Sequence, residues 1–534
     1  MNNNRKVFIN TLIGIVLLEI LSFLAFVNPG LSPWIFGVVS ILIIIATVYK
    51  LELGVFIAIA ELIIGSLGKI LVLELNGFDI SLRMAIWIIL LCVWFAHILK
   101  NRKISFLKSR LFVPFCILCL VIFWGIIFGV IRSNSISAIF SDVNNYFYFA
   151  LIFPIYGVLR SRKCTEQLYY IMLSAGMFIA LKTIILFYIF SHEFFDLQDT
   201  LYLWLRATRL AEITNIDPNI LLSRIFMQSH IWLLFLLFIY LIVSLKNIVP
   251  FICKSSSYDN TEQDSEEKEN PIEYKDAIIT KKITNIRIIS LVAILAILMS
   301  AIIMSFSRSF WLAFIITFLF FACIYFIRRL RKKRIKKFFV FIGLTSVIVL
   351  ASIGLTLGVA SFPIPKGSSS ADLLRDRAGK FKGESALSSR YAQIKPMLRG
   401  ISIHPVIGSG FGTSVTYESQ DPRVLKNNPD GKYTTTAFEL GWLEIWLKLG
   451  LIGVFAYLYF IYKICEIGYK SIKQIPSGKI KKYSLAGLCL GLISVTLTHL
   501  ASPYLNHPLG IGIVIICASL VERKYFKKTL IYKN

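Results

Sequence analysis

The sequence predicts an all-α polytopic membrane protein, with about 12–14 transmembrane helices and a large extracytoplasmic loop of short helices. Hydrophobic residues make up 56% of the 534-residue chain and charged residues only 16%, whereas a soluble domain carries about 25% charged residues. The apolar residues form repeated runs of about 20, which is the length of a helix that crosses a bilayer. Lys and Arg collect in short clusters between these runs, as they do in the cytoplasmic loops of membrane proteins.

The net charge of +27 does not indicate a nucleic-acid partner, because the basic residues are divided among the short segments between apolar runs. The partner that this arrangement predicts is the lipid bilayer. The apolar runs predict spans near 7–27, 33–49, 52–74, 81–99, 111–131, 141–159, 168–190, 230–247, 288–305, 309–327, 338–360, 441–463, 484–503 and 507–521. Two close pairs, 33–49 with 52–74 and 484–503 with 507–521, leave the number of spans open.

The basic clusters also predict the orientation of the chain. With the N-terminus inside, every strongly basic cluster lies on one side, including the run from Arg328 to Lys337, while the outside turns 28–32 and 504–506 contain no Lys or Arg. None of the nine cysteines falls in a predicted outside loop, so no disulfide is expected. The prediction is a multi-pass protein of the bacterial plasma (inner) membrane with cytoplasmic N- and C-termini.

This topology divides the chain into four regions. They are 1–247, the N-terminal transmembrane helices with an outside loop near 191–229; 248–287, an acidic cytoplasmic linker; 288–465, a region with the large outside loop 361–440; and 466–534, the last transmembrane helices with a basic tail. The polar, acidic composition of the linker is typical of disordered segments.

Arg308 is the clearest charged residue at membrane depth. It lies between two apolar runs at the outer face, and Ser305, Ser307 and Ser309 flank it. Ionisable side chains at that depth are costly and are functional candidates. The alternative is an interfacial anchor whose side chain reaches outward to the headgroups. On the functional interpretation, Ser307 and Ser309 bind the same ligand as Arg308.

The large loop contains a second candidate site. Apolar residues at helical spacing predict an amphipathic helix on the outer face: Leu387, Tyr391, Ile394, Leu398 and Ile401. Arg390 lies near the start of this helix, where a guanidinium beside free backbone amides suits a phosphate. The alternative is an ordinary surface arginine. The remaining candidate substrate-binding residues are Tyr391, Lys395, Arg399 and His404.

After this helix come three glycines, Gly408, Gly410 and Gly412. They are typical of turns, because no strand precedes them and no Gly-Lys-Ser/Thr of a phosphate loop follows. The six histidines are scattered, and no two have metal-ligand spacing. The sequence therefore predicts neither a metal nor another cofactor.

Three charged residues occupy the start of the span near 441–463. Glu444 and Lys448 are spaced to form an i,i+4 ion pair. Glu439 has no such partner in the sequence and lies where loop becomes helix. It is a candidate general base, a candidate binder of a substrate hydroxyl, or a helix N-terminal acid of structural use.

The stretch from about Ile288 to Tyr459 resembles the bacterial O-antigen ligase and O-antigen polymerase family. The family's motifs appear here as Ser307-Arg308, Arg390 with Tyr391 in an outside helix, a Pro-x-x-Gly-x-Gly-x-Gly segment at 405–412, and Gly-Leu-Ile-Gly at 450–453. Ligases of this family carry a His-Asn eleven residues before the first closing glycine, and here that position is Glu439 followed by Leu440. The carboxylate favours a polymerase, or a ligase for another acceptor.

The resemblance implies a metal-independent glycosyltransferase of surface polysaccharide biosynthesis. Its donor is a glycan on undecaprenyl diphosphate at the outer face of the plasma membrane, and its acceptor is a hydroxyl of a second sugar. Arg308 and Arg390 then stabilise the diphosphate, while Glu439 accepts the proton of the acceptor hydroxyl or orients it. Two other functions stay open, a flippase for lipid-linked oligosaccharides and a scaffold for envelope assembly; the sequence shows no repeat of the kind that many transporters have.

Overall fold

The computed structural model describes residues 3–75, 77–192, 194–217, 220–250, 271–362, 385–419, 422–476 and 478–522. Within these ranges the chain is a helical bundle with three two-stranded antiparallel hairpins. Eleven helical segments of the described chain are long and apolar enough to cross a membrane. The predicted all-α, multi-pass membrane fold is confirmed.

The N-terminal half contains ten α-helices in the described ranges. They are α1 (Asn3–Val27), α2 (Ser32–Tyr49), α3 (Leu51–Ile64), α4 (Leu82–Asn101), α5 (Phe112–Ile131), α6 (Ile136–Asn144), α7 (Ile152–Leu159), α8 (Arg162–Ser191), α9 (Phe195–Ala207) and α10 (His230–Asn247). Strands β1 (Val72–Leu75) and β2 (Phe78–Ser81) form one hairpin, and β3 (Glu212–Asp217) and β4 (Ile220–Phe226) form the second. Helix α10 is apolar on nearly every side and lies in the centre of the bundle, buried along almost its whole length.

The C-terminal half begins with a long helix and ends with a short one. Its helices are α11 (Pro271–Met304), α12 (Arg308–Arg331), α13 (Lys336–Ser361), α14 (Ser385–Ile403), α15 (Pro422–Asn427), α16 (Gly441–Gln474), α17 (Ile480–Thr498) and α18 (Pro508–Val521). Strands β5 (Val415–Glu418) and β6 (Lys432–Thr435) pair in the third hairpin. The large loop therefore combines short helices with a β-hairpin, which the sequence prediction did not include.

Three predicted segments differ in the structure. The span near 52–74 is cut short at Ile64, because Gly65, Ser66 and Gly68 form a turn in which Ser66 and Gly68 have positive φ. The span near 141–159 is divided between α6 and α7 by a 3₁₀ turn. Residues 271–287, assigned to the acidic linker, form the first part of α11, while residues 251–270 of that linker lie outside the described chain.

The glycine segment 405–412 forms backbone hydrogen bonds to helix α16 at the point where that helix is interrupted. Gly450 has φ +71°, which interrupts the helix. Backbone bonds to the glycine segment replace the lost helical ones: Ser409 N donates to Leu447 O at 2.7 Å, and Gly410 N donates to Lys448 O at 2.9 Å. The glycines therefore form turns that join the large loop to the membrane helices, as the sequence predicts.

We expect Gly410→Ala to destabilise the protein strongly. Gly410 has φ +82°, and a Cβ there lies 2.2 Å from the backbone nitrogen of Gly129 in α5. A strained φ alone costs about 1–3 kcal/mol, and the backbone clash adds to it. Thermal unfolding of the purified protein measures the loss. Gly354→Ala is the matched control because a Cβ at Gly354 meets nothing within 4 Å; equal melting temperatures for the two variants contradict the prediction.

A buried ionic network lies beneath the glycine segment. Lys448 Nζ is 2.7 Å from Glu444 Oε1, so the predicted i,i+4 pair is confirmed, and it is also 2.7 Å from Asp142 Oδ1 on α6. The second oxygens of both carboxylates accept bonds too, from Asn506 Nδ2 at 3.0 Å and from Gly412 N at 2.7 Å. Since every member has partners, we interpret this network as structural.

Lys448→Met is expected to lower stability more than the loss of an exposed ion pair does. The change leaves the carboxylates of Asp142 and Glu444 buried without a cation, and breaking a buried pair costs about 3–5 kcal/mol. The melting temperature in detergent and the amount of protein in the membrane measure the effect. Lys463→Met, which removes a half-exposed pair with Glu466, is the control; a loss no larger than that of the control is the contrary result.

Candidate active site

The first part of the site is the turn between α11 and α12. Phe306 has φ +47°, and Ser307 precedes the helix, so Arg308 is the first residue of α12. Ser307 Oγ lies 3.0 Å from Ser309 Oγ, and Ser307 N donates to Ser305 Oγ at 3.3 Å. Arg308 is half-buried. The turn thus presents hydroxyl groups and a guanidinium at a helix N-terminus, which is a setting that attracts anions.

The second part is helix α14, whose packed face differs from the apolar face that the periodicity suggests. Met397 and Ile401 are buried and form a small core with Val415 of β5, Leu447 of α16 and Phe438, which precedes α16. Of the predicted apolar residues, Tyr391 and Leu398 are exposed. Leu387 lies outside the described side chains. The packed face runs through positions 390, 393, 397 and 401, and it turns Arg390 toward α16.

Arg390 and Glu439 form an ion pair on this face. Arg390 Nε is 2.5 Å from Glu439 Oε2, and the two side chains are 30% and 41% exposed. The backbone nitrogen of Glu439 lies 3.4 Å from Gln393 Oε1, one turn along α14. Glu439, which has no partner in the local sequence, therefore has a cationic one in the fold, and the pair is open to solvent.

The short segment from His499 to Tyr504 joins the two parts. Gly441 N, two residues after Glu439, donates to His499 O at 3.1 Å. Ser502 Oγ lies 3.4 Å from Ser309 Oγ, and the ring of Tyr504 contacts that of Phe310 at a centroid distance of 5.8 Å. One six-residue connection thus holds both the Glu439 end of α16 and the Arg308 end of α12.

The other predicted substrate-binding residues lie on the outside of α14. Tyr391, Lys395 and Arg399 are exposed, and His404 is half-buried just beyond the end of the helix. Within the described chain, the side chains of Lys395 and Arg399 form no ion pair. They are accessible to a substrate that lies along the helix, but within the described residues they make no hydrogen bond or ion pair to Arg390 or Glu439.

The sequence interpretation missed Arg224, on strand β4. Arg224 Nε donates to Ser305 O at 3.0 Å, in the turn that leads to Arg308. Burial is the main cause of a lowered pKa for Arg224, the Arg390 guanidinium lowers it further, and the Glu212 and Glu439 carboxylates oppose the shift. Arg224 was visible in the sequence only as one of several arginines of the predicted outside loop 191–229, and nothing local distinguished it.

The charges of this region suit an anionic ligand. Three guanidinium groups, on β4, α12 and α14, accompany two carboxylates, that of Glu439, which is paired with Arg390, and that of Glu212. Guanidinium groups bind phosphate oxygens bidentately and stay charged. Among the described residues, no group of three His, Cys, Asp or Glu side chains is arranged to hold a metal ion. The arrangement can therefore balance a diphosphate with side-chain cations.

Comparison with known protein families supplies the identification. Residues 292–458 match the model of the family described as O-antigen ligase. Residues 292–458 are thus similar to the O-antigen ligase family. The matched range includes Arg308, Arg390 and Glu439, and the match supports a membrane glycosyltransferase activity of the O-antigen ligase type in surface polysaccharide biosynthesis. A comparison with curated proteins finds no match to the chain.

Proposed function

We propose that this O-antigen ligase-type protein polymerises a glycan carried on polyprenyl diphosphate, at the outer face of the bacterial plasma membrane. The observation that carries the proposal is the contact of Arg390 with Glu439, beside the connection that also holds the Arg308 turn. A cation for the leaving diphosphate and a base for the acceptor thus lie at one site. Undecaprenyl diphosphate is the donor carrier that the family resemblance implies.

In the proposed reaction an acceptor sugar hydroxyl attacks the anomeric carbon of the donor glycan. The new glycosidic bond forms as the bond from that carbon to the diphosphate oxygen breaks, and the polyprenyl diphosphate leaves with the electron pair. Negative charge grows on the diphosphate, and Arg308 and Arg390 stabilise it. Ser307 and Ser309, with Tyr391, Lys395, Arg399 and His404, are proposed to bind the rest of the substrates.

Glu439 is proposed to accept the proton of the acceptor hydroxyl. Arg390 can bind either the Glu439 carboxylate or a phosphate, because both offer oxygens to its fork of donors. A bound diphosphate therefore competes with Glu439 for Arg390. When Arg390 turns to the phosphate, the carboxylate becomes available to the acceptor hydroxyl, so donor binding prepares the base.

Polymerase is favoured over ligase because of the same residue. A carboxylate stands where ligases of the family carry His, and the adjacent residue is Leu440 rather than Asn. A carboxylate in place of a histidine changes the base that meets the acceptor hydroxyl, and this change favours an acceptor different from that of the ligases. We further propose that the 361–440 loop faces outward, that both termini are cytoplasmic, and that 248–287 joins the N-terminal helices 1–247 to the catalytic region 288–465, with 466–534 completing the bundle.

The test is transfer by the purified protein from a defined polyprenyl-diphosphate oligosaccharide, with the chain length of the product measured. Glycans of several repeats on the lipid support the polymerase. A single transfer to another acceptor identifies a ligase instead. Movement of the donor across a liposome membrane without any new glycosidic bond identifies a flippase and contradicts the enzyme proposal.

A further inference from the structure

We propose that Arg224, on β4, binds the diphosphate of the donor together with Arg308 and Arg390. The inference rests on the proposed function for the nature of the ligand. Arg224 lies outside residues 292–458 that match the O-antigen ligase family. The N-terminal half of the chain therefore contributes a substrate-binding residue of its own to the active site.

Side chains alternate between the two faces of strand β4, and this alternation places Arg224 on the face that meets α12. Ser223 and Ile225 are buried on one face of the strand, where Ser223 Oγ lies 3.3 Å from Phe190 O of α8. Arg224 and Phe226 must then lie on the opposite face. That face meets α12, since the Phe226 ring stacks on Phe310 at a centroid distance of 6.0 Å.

The Arg224 side chain is held through its Nε atom, which leaves the two terminal nitrogens of the guanidinium for a ligand. Nε donates to Ser305 O at 3.0 Å, and the guanidinium lies 4.6 Å from the centre of the Phe226 ring. Within the described chain, its two terminal nitrogens make no hydrogen bond. Held in this way, the guanidinium can offer both terminal nitrogens to a phosphate with little loss of side-chain entropy.

The electrostatic surroundings favour an anion between Arg224 and Arg390. The charge of Arg390 lowers the pKa of Arg224, and Arg224 is half-buried, which weakens its hydration. Glu212 and Glu439 compensate in part, but Glu439 already pairs with Arg390. A diphosphate bound between the two guanidiniums offsets their mutual repulsion and accepts hydrogen bonds from the terminal nitrogens of Arg224.

The test uses Arg224→Gln, which separates a role of Arg224 in binding the diphosphate from a role in holding the turn that precedes Arg308. The Gln amide can still donate to Ser305 O but carries no charge, whereas Arg224→Lys keeps the charge without the fork. Donor saturation kinetics and competition by inorganic pyrophosphate are measured on the full chain in detergent. Arg206→Gln is the control, because Arg206 is an exposed arginine of α9 whose side chain donates to Tyr202 Oη on its own helix.

We expect Arg224→Gln to raise the donor KM and the pyrophosphate inhibition constant by about 10- to 100-fold, the usual value of a charged hydrogen bond. Arg224→Lys should fall between this variant and the wild type, and Arg206→Gln should match the wild type. Unchanged KM and inhibition constant in Arg224→Gln overturn the inference. So does a fall in kcat alone, which indicates a role in positioning the turn.

The failure of this inference can be told from failure of the proposed function. If the wild type transfers no glycan, the polymerase proposal fails, and stabilisation of the protein by inorganic pyrophosphate in thermal unfolding then decides for Arg224. Stabilisation that is lost in Arg224→Gln supports the binding site. Stabilisation that is equal in both proteins, or absent from the wild type, overturns it.

Discussion

Replacing Arg390 by alanine is expected to abolish glycan transfer while the protein still inserts into the membrane. The guanidinium faces Glu439 at 2.5 Å and is the cation that we propose stabilises the charge of the leaving diphosphate. Removing one donor to a developing oxyanion costs about 10²–10³-fold in rate, and a bidentate cation should cost at least as much. Transfer from a defined lipid-linked oligosaccharide by equal amounts of each protein measures the loss.

The same loss is expected for Arg308→Ala, because Arg308 starts α12 beside the serine turn. Arg390→Lys and Arg308→Lys should recover only part of the activity, since a single ammonium cannot bind two phosphate oxygens as the fork does. Arg206→Ala controls for the general effect of removing an exposed arginine. Full activity in either alanine variant contradicts the proposal that Arg308 and Arg390 together bind the diphosphate, and full activity of Arg308→Ala leaves the interfacial anchor as the explanation of Arg308.

Glu439→Gln is expected to slow transfer by about 10²–10⁴-fold, the usual contribution of a general base. The amide oxygen of Gln still accepts a hydrogen bond from Arg390, so the packing of the pair is preserved. The amide cannot accept the proton of the acceptor hydroxyl. Single-turnover rates at saturating donor measure the effect on chemistry apart from binding.

Glu439→His tests whether a second kind of base at this position restores part of the transfer rate that Glu439→Gln loses. A histidine stands at this position in ligases that the chain resembles, and it can act as a base at neutral pH. We therefore expect Glu439→His to be faster than Glu439→Gln. A Gln variant within about tenfold of the wild type, too small an effect for a general base, assigns Glu439 a positioning role instead.

Much of the membrane fold could be predicted from the sequence because the bilayer imposes a strong local rule. Each spanning segment must satisfy its own backbone hydrogen bonds and bury apolar side chains, so length and composition identify it without knowledge of its neighbours. Arg308 stood out by the same rule, as a charge between two apolar runs. Where the local rule was weaker, the prediction was less accurate. The turn at Gly65–Gly68 ends a predicted span early, and residues 271–287 form the first part of helix α11 although their polarity predicts a disordered linker.

The sequence by itself determined that this is a multi-pass membrane protein with candidate cations at Arg308 and Arg390 and a candidate base at Glu439. Only the tertiary structure decided which of these meet. Arg390 and Glu439 are 49 residues apart, and Arg224 reaches a carbonyl 81 residues away. Such contacts depend on the packed face of α14, which follows Met397 and Ile401 instead of the exposed Tyr391, and on the strand face of β4. The physical reason is that the bilayer decides locally which segments form membrane helices, through their length and apolar composition. The positions of the side chains in the site depend instead on how distant segments pack against one another.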